Sequence, residues 1–228
     1  MNKKAVILLS GGIDSATTAA KAVKDGFNVH AVTFSYGQKH NIEILYAERL
    51  VQFLKISSHI IIEISPEIFL SSALSSASGL EIPKNRDITD SEIPVTYVPG
   101  RNILFLSYAL SYAETTGARD IFIGANAVDY SGYPDCRPEF IRAFEQMANL
   151  GTKAGVSGDK FTIHTPLISL KKSEIIRMGI SLGLDYSLTL SCYDPLKDGR
   201  SCGRCDSCII RKKGFAEACI IDPAANRD

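Results

Sequence analysis

This chain of 228 residues has no excess of charge: Lys+Arg and Asp+Glu both total 25, for a formal net charge of zero. A protein that holds nucleic acid through its overall field needs a surplus of basic side chains, so that class is disfavoured and small ligands are favoured. Long hydrophobic runs are missing as well. The N-terminal apolar stretch, Ala5-Val6-Ile7-Leu8-Leu9, stops at Ser10-Gly11-Gly12, whereas an export signal needs roughly 7–15 apolar residues and a membrane span about 20. The expectation is a cytoplasmic protein. Neither a Walker lysine nor the dinucleotide G-x-G-x-x-G pattern is present, which argues against a P-loop NTPase and a nicotinamide-binding fold. No internal repeat is visible.

What the sequence does hold is an ordinary globular balance, 45% hydrophobic and 22% charged, enough to bury a core without disulfides. Between residues 1 and 190, short β-rich runs alternate with helical stretches, the pattern of a parallel sheet between helices. Strands are expected at 5–9, 29–34, 59–64, 120–123 and 161–164. Helices are expected at 14–24, 41–54, 103–116, 138–150 (with Pro138 in its first turn) and 172–182, with a last helical piece at 211–219. Residues 65–99 lose periodicity and gain Ser, Pro and charge, and are expected to be an excursion of the α/β domain that could act as a lid. The division expected is an α/β domain at 1–190 and a Cys-rich segment at 191–228 packed on it.

Ser10-Gly11-Gly12-Ile13-Asp14-Ser15 falls between the first strand and the first helix, where backbone N–H groups and the helix dipole converge on an anion site. A Gly-Gly pair after a strand can equally be a plain tight turn. Late in the chain, Cys202, Cys205 and Cys208 follow Cys192 in a loop-rich stretch. Four thiols at this spacing point to tetrahedral zinc, with an iron–sulfur cluster as the competitor, and Arg200, Arg204, Arg211, Lys212 and Lys213 are candidates to offset thiolate charge. No aromatic interleaving supports a nucleic-acid-binding zinc ribbon. Of the other cysteines, Cys219 is expected to be buried in the last helix, and Cys136 is either structural or a thiol activated by Arg137.

The string S-G-G-I-D-S after an apolar strand resembles the pyrophosphate loop (PP-loop) of the N-type ATP pyrophosphatases. That resemblance implies a Rossmann-like, adenine nucleotide alpha hydrolase-like fold: α/β, with a five-stranded parallel sheet between helices. It also implies ATP contacts from Leu9, Ser10, Gly11, Gly12, Ile13, Asp14, Ser15, Ala16 and Thr17. The loop, Val98-Pro99-Gly100-Arg101-Asn102, the stretch 124–140, Thr165-Pro166-Leu167-Ile168 with Lys172, and the four late cysteines together resemble the queuosine-pathway synthase family that makes 7-cyano-7-deazaguanine. The resemblance implies ATP-dependent conversion of 7-carboxy-7-deazaguanine and ammonia to the nitrile, with magnesium accompanying ATP, a bound zinc and a homodimer. Within that frame Asp14, Lys172 and Arg101 are the catalytic candidates, and Asp129, Tyr130, Tyr133, Asp135 and Arg137 are candidates to bind the deazaguanine. Asn102 is a candidate cap for the helix that follows it. The alternatives are a tRNA-thiolating relative using Cys136 as sulfur carrier and a non-enzymatic zinc-ribbon binding protein.

Overall fold

In a computed structural model of the protein, residues 3–38, 42–85, 93–128 and 133–224 are described. The chain runs through β1 (Lys4–Leu8), α1 (Ile13–Lys24), β2 (Asn28–Ser35), α2 (Ile42–Phe53), β3 (Ser58–Glu63), α3 (Arg101–Thr116), β4 (Asp120–Phe122), α4 (Pro138–Gly151), α5 (Lys153–Val156), β5 (Thr162–His164), α6 (Lys172–Ser181) and α7 (Asp206–Ala218). Among the described residues the strands form one sheet, in the order β3-β2-β1-β4-β5, with every pairing parallel. This is the expected α/β architecture.

Strand alternation sorts the core into two layers. Ala5, Ile7, Leu9, Val29, Ala31 and Phe122 point to the side covered by α1, α2, α6 and α7, through residues such as Ala16, Leu50, Ile175 and Phe215. Val6, Leu8, Val32, Ile121 and Ile123 point to the side covered by α3 and α4, through Leu106, Ala109, Phe144 and Ala148. A sheet covered on both faces explains why its strands read as near-continuous apolar runs. The helix termini follow local chemistry. Asp14 opens α1 while Lys21 and Lys24 close it, matching the helix dipole, and α3 stops at Gly117, whose φ of 75° suits glycine.

Strand order reverses between β1 and β4, so the loops leaving them diverge and open a crevice at the carboxyl edge of the sheet. Close packing narrows its floor: a Cβ on Gly124, just after β4, would lie 2.9 Å from the carbonyl carbon of Asp14.

The excursion at 65–99 is packed over its described residues. A 3-10 turn at Pro66–Phe69 buries Phe69, and Ser72 and Ser75 are buried behind it. The Ala73 N–H donates to Val95 O at 3.0 Å and the Ser76 N–H to Gly37 O at 2.7 Å, tying the excursion to the end of β2. At its far end the Asn85 N–H donates to Arg204 O at 2.9 Å, and Lys84 pairs with Asp194 at 2.7 Å. The excursion thus bridges the sheet edge and the cysteine-rich segment.

Several expectations at the C-terminal end are corrected. The last helix starts at Asp206 rather than near Arg211, because Cys205 is its N-cap and Cys208 lies in its first turn. Cys219 is exposed, not buried. It follows the helix in the left-handed conformation, φ 58° and ψ 38°, as the C-cap. Arg211 is buried and directed away from the thiols: its guanidinium pairs with Asp222 at 2.6 and 2.8 Å and donates to Thr189 and to Tyr186 O. It fastens the segment after α7 to the turn before the cysteines.

Candidate active site and metal centre

A cavity of about 240 Å³ opens at the strand-order reversal. Its floor is the glycine loop. Ser15 Oγ accepts from the Ser10 N–H at 3.1 Å, lies 3.1 Å from Ser10 Oγ and donates to Gly12 O at 3.2 Å. Gly11 has a φ of 81°, and a Cβ there would lie 2.7 Å from Glu43 O and 2.9 Å from Tyr46 Cβ, so only glycine lets α2 approach this closely. The Leu190 N–H donates to Gly11 O at 3.0 Å, fixing the loop from the other side. The result is a rigid turn opening a helix, with N–H groups free of bulky cover, as an anion cradle requires.

Of the residues expected to contact ATP, Leu9, Ser10, Gly12, Ile13, Asp14 and Ser15 line the cavity. Ala16 and Thr17 face the core instead, and Thr17 Oγ1 is spent on Ile13 O at 2.8 Å and the Tyr186 hydroxyl at 2.7 Å.

Asp14 and Lys172 meet at the wall of the cavity. Lys172 Nζ donates to the two Asp14 carboxylate oxygens at 2.6 and 2.8 Å. The lysine is buried, its stem lying against Gly214 of α7, where a side chain would collide with it. Asn126 sets the approach of α6 by donating to Leu167 O and Leu170 O at 2.9 and 2.6 Å.

Arg101 stands on another wall, at the start of α3. Burial works against its charge, but the facing Tyr36, Tyr133, Asp135 and Cys136 more than offset this and hold it protonated. Burial in turn pushes the Tyr36 and Tyr133 hydroxyls above their ordinary range. Asp135 is buried beside this group, its Oδ2 accepting the Asn102 N–H at 3.0 Å. Asn102 is therefore not the cap of α3. The cap is the Asp135 carboxylate, 33 residues away in sequence, while the Asn102 amide donates to Asp135 O at 3.0 Å and Cys136 Sγ at 3.3 Å.

Tyr133 and Cys136 line the cavity, whereas Arg137 is exposed at the N-cap of α4. Asp129 and Tyr130 lie outside the described residues. Activation of Cys136 by Arg137 does not occur: burial, reinforced by Asp135, pushes this thiol up to about 11.

Glu43 went unrecognised in the sequence. Its carboxyl reaches the cavity from the first turn of α2, and burial pushes it up to about 7 against the opposing pull of Arg101. An acid in the first turn of a helix reads as a dipole partner, so nothing in the sequence sets it apart.

The four late cysteines converge beside the same cavity, with ligand atoms all within 4.8 Å of one another. Backbone N–H groups point at the sulfurs: Cys202 N to Cys192 Sγ at 3.2 Å, Cys205 N to Cys202 Sγ at 3.4 Å and Tyr193 N to Cys205 Sγ at 3.5 Å. Thiols of Cys192 and Cys208 draw the Cys205 proton off most readily. Four converging sulfurs with N–H donors behind them are a donor set for one tetrahedral thiophilic ion. Ser191, Cys192 and Tyr193 are also cavity wall, so the cysteine cluster and the glycine loop share one enclosure.

A family model described as "Queuosine biosynthesis protein QueC" matches residues 4–219 of this chain. The chain belongs to the QueC family. Among its relatives, the 7-cyano-7-deazaguanine synthase of Paramagnetospirillum magneticum is 57% identical over 224 residues, covering 97% of this chain and 98% of that protein. The protein of the same name from Geobacter sp. strain M21 is 58% identical over 223 residues, covering 98% and 97%. More distant solved structures share the fold alone. NMN synthetase from Francisella tularensis is 20% identical at a TM-score of 0.51, covering 96% of this chain and 79% of that one. A 4-thiouridine synthetase in complex with RNA and ATP is 18% identical at a TM-score of 0.53, covering 94% and 53%. QueC membership carries the expected resemblance through nearly the whole chain, and neither the thiolating nor the zinc-ribbon alternative is favoured.

Proposed function

We propose that the cavity makes 7-cyano-7-deazaguanine from 7-carboxy-7-deazaguanine, ammonia and two molecules of ATP. The observation that carries this is the identity above 55% to synthases of that name over almost the full length of both chains. A carboxylate is a poor electrophile, so its oxygen attacks the α-phosphate of ATP, and pyrophosphate departs into the N–H and hydroxyl donors of Ser10 to Ser15. Ammonia displaces AMP from the acyl-adenylate to give the amide. The amide oxygen is then adenylated in its turn, and loss of AMP and the remaining nitrogen protons leaves the nitrile.

Lys172 holds Asp14 at the mouth of the loop, where Asp14 would help hold the magnesium that accompanies ATP and Lys172 would contact phosphate. Magnesium supplies charge neutralisation for the transferring phosphate. Arg101 meets the substrate carboxylate or the α-phosphate. Tyr133 faces the deazaguanine. Asp135 acts on substrate only through α3, by fixing the helix that carries Arg101. Cys192, Cys202, Cys205 and Cys208 would hold zinc beside the wall formed by Ser191 and Tyr193. The excursion at 65–99 roofs the cavity through Leu74. A cytoplasmic homodimer completes the reading, as the family resemblance implies.

The test is a mass-spectrometric assay with 7-carboxy-7-deazaguanine, MgATP and ammonium, following deazapurine products and AMP together. Nitrile with two AMP per turnover is expected. Neither product from folded, metal-loaded protein overturns the proposal.

A further inference from the structure

Amide formation needs a proton acceptor, since ammonia at neutral pH is almost all ammonium, which has no lone pair to attack a carbonyl. The groups around the cavity narrow the choice. Asp14 is held through both oxygens by Lys172 at 2.6 and 2.8 Å. Asp135 caps α3 through Oδ2. The Cys136 thiol is pushed up to about 11 and burial raises the Tyr36 and Tyr133 hydroxyls, so all three keep their protons at neutral pH. Glu43 makes no hydrogen bond or ion pair among the described residues and lines the cavity.

Its position is fixed. Gly11 packs against the Glu43 carbonyl and the Tyr46 side chain, so the first turn of α2 cannot shift relative to the loop that cradles phosphate. The charged groups opposite are Arg101 on α3, which Glu43 feels directly, and Lys172 on α6, which is matched by Asp14. Tyr36 faces it from the end of β2, and the ring of Phe105, stacked 3.9 Å from that of Phe34, completes the apolar side of the enclosure.

We propose that Glu43 is the catalytic proton acceptor of the amide-forming step, taking a proton from ammonium bound in the cavity; this rests on the activity proposed above. The carboxylate accepts one proton and frees the nitrogen lone pair. Nitrogen attacks the acyl carbon, the C–N bond forms, and the bond from that carbon to the phosphate-bearing oxygen breaks. AMP leaves with the electron pair, and its phosphate takes the second proton shed by nitrogen as the adduct collapses. Glu43 returns its proton to solvent before the next turnover. A carboxyl with a proton affinity near the working pH suits this role, being ionised often enough to accept and basic enough to matter.

The test separates adenylation from amide formation in Glu43→Gln and Glu43→Asp, using 7-carboxy-7-deazaguanine, MgATP and ammonium chloride in rapid-quench single turnovers. Pyrophosphate release without ammonium reports adenylation, and the appearance of amide on adding ammonium reports the second step. Glu43→Gln is expected to slow the second step by about 100-fold or more while adenylation changes far less. Glu43→Asp is expected to recover part of the loss. At a fixed concentration of ammonium ion, the wild-type second step is expected to rise with pH and level off above about 7, and Glu43→Gln to lose that inflection and follow free ammonia alone. Equal losses in both steps, or wild-type amide formation in Glu43→Gln, would overturn the assignment. Absence of adenylation in the wild type would instead bring down the activity on which it rests.

Discussion

Lys172 Nζ and the Asp14 carboxylate, 158 residues apart in sequence, lie 2.6 and 2.8 Å apart at the mouth of the glycine loop. A lysine this deeply buried depends on the facing carboxylate for compensation, and removing one partner strands the other. Lys172→Met is therefore expected to cost about 3 kcal/mol, a fall of roughly 6–12 °C in Tm by calorimetry. Adding Asp14→Asn to it is expected to restore much of the stability and none of the turnover, given the proposed role of both charges toward ATP. Full stability in the single variant would show that the pair contributes nothing to the fold.

Gly11 and Gly124 let the neighbouring elements close on the glycine loop by lacking side chains. A Cβ at either would come within 3 Å of the neighbouring element, at Glu43 O or at the Asp14 backbone. Alanine at either position is expected to give soluble protein that no longer binds a non-hydrolysable ATP analogue in isothermal titration calorimetry. Unchanged affinity would mean that the loop can re-form around an added methyl.

Glu43 links stability to pH. Its carboxyl titrates at about 7 in the folded protein, against 4.5 for an ordinary glutamate, so between these values the folded state binds more protons than the unfolded state. The sign follows: this group favours folding below pH 4.5, and the benefit is lost as pH rises through about 7. Glu43→Gln is expected to be more stable than wild type at pH 8, by of order 2 kcal/mol, and to show a flatter Tm profile between pH 5 and 8. Parallel profiles for the two proteins would place the carboxyl in a solvated setting.

Cys219 and Cys136 are expected to part company under alkylation. Brief iodoacetamide treatment of metal-loaded protein should label exposed Cys219 and spare Cys136, which is buried with its thiol pushed up to about 11. Peptide mass spectrometry reads the difference. Because Cys219 holds a left-handed backbone, Cys219→Gly is also expected to add about 1 kcal/mol of stability.

Metal removal is expected to reach beyond the cysteines. Residues 84–85 are tied to 194 and 204, so stripping the ion with a chelator should raise hydrogen exchange at the Asn85 amide as well as around Cys205. Unaltered exchange at Asn85 would show that the two segments hold each other without a metal.

The strand-loop-helix at the start was legible in sequence because every signal for it is local: an apolar run, a Gly-Gly turn, then an acid opening the helix. The same holds for the cysteine spacing. What escaped the sequence depends on distant partners. Asp135 capping α3, Arg211 fastened to Asp222, and Glu43 turned into the cavity are set by which elements the sheet brings together, and each side chain alone reads as an ordinary surface group. The start of α7 was misplaced for a related reason: Asp206-Ser207-Cys208 has the composition of a loop and becomes a helical turn beneath a cluster of thiols.

The cavity is closed last by the end of the chain. Leu190 to Tyr193, Ser207, Ile210 and Arg211 complete its wall, yet the five strands and the phosphate cradle are all encoded upstream. As the polypeptide emerges during translation, the sheet can assemble around a half-built pocket that has no C-terminal wall. Premature termination near residue 190 would accordingly leave a nascent fragment with the glycine loop but without the wall that the proposed adenylate would need against water. The cavity wall is complete only once α7 has been made.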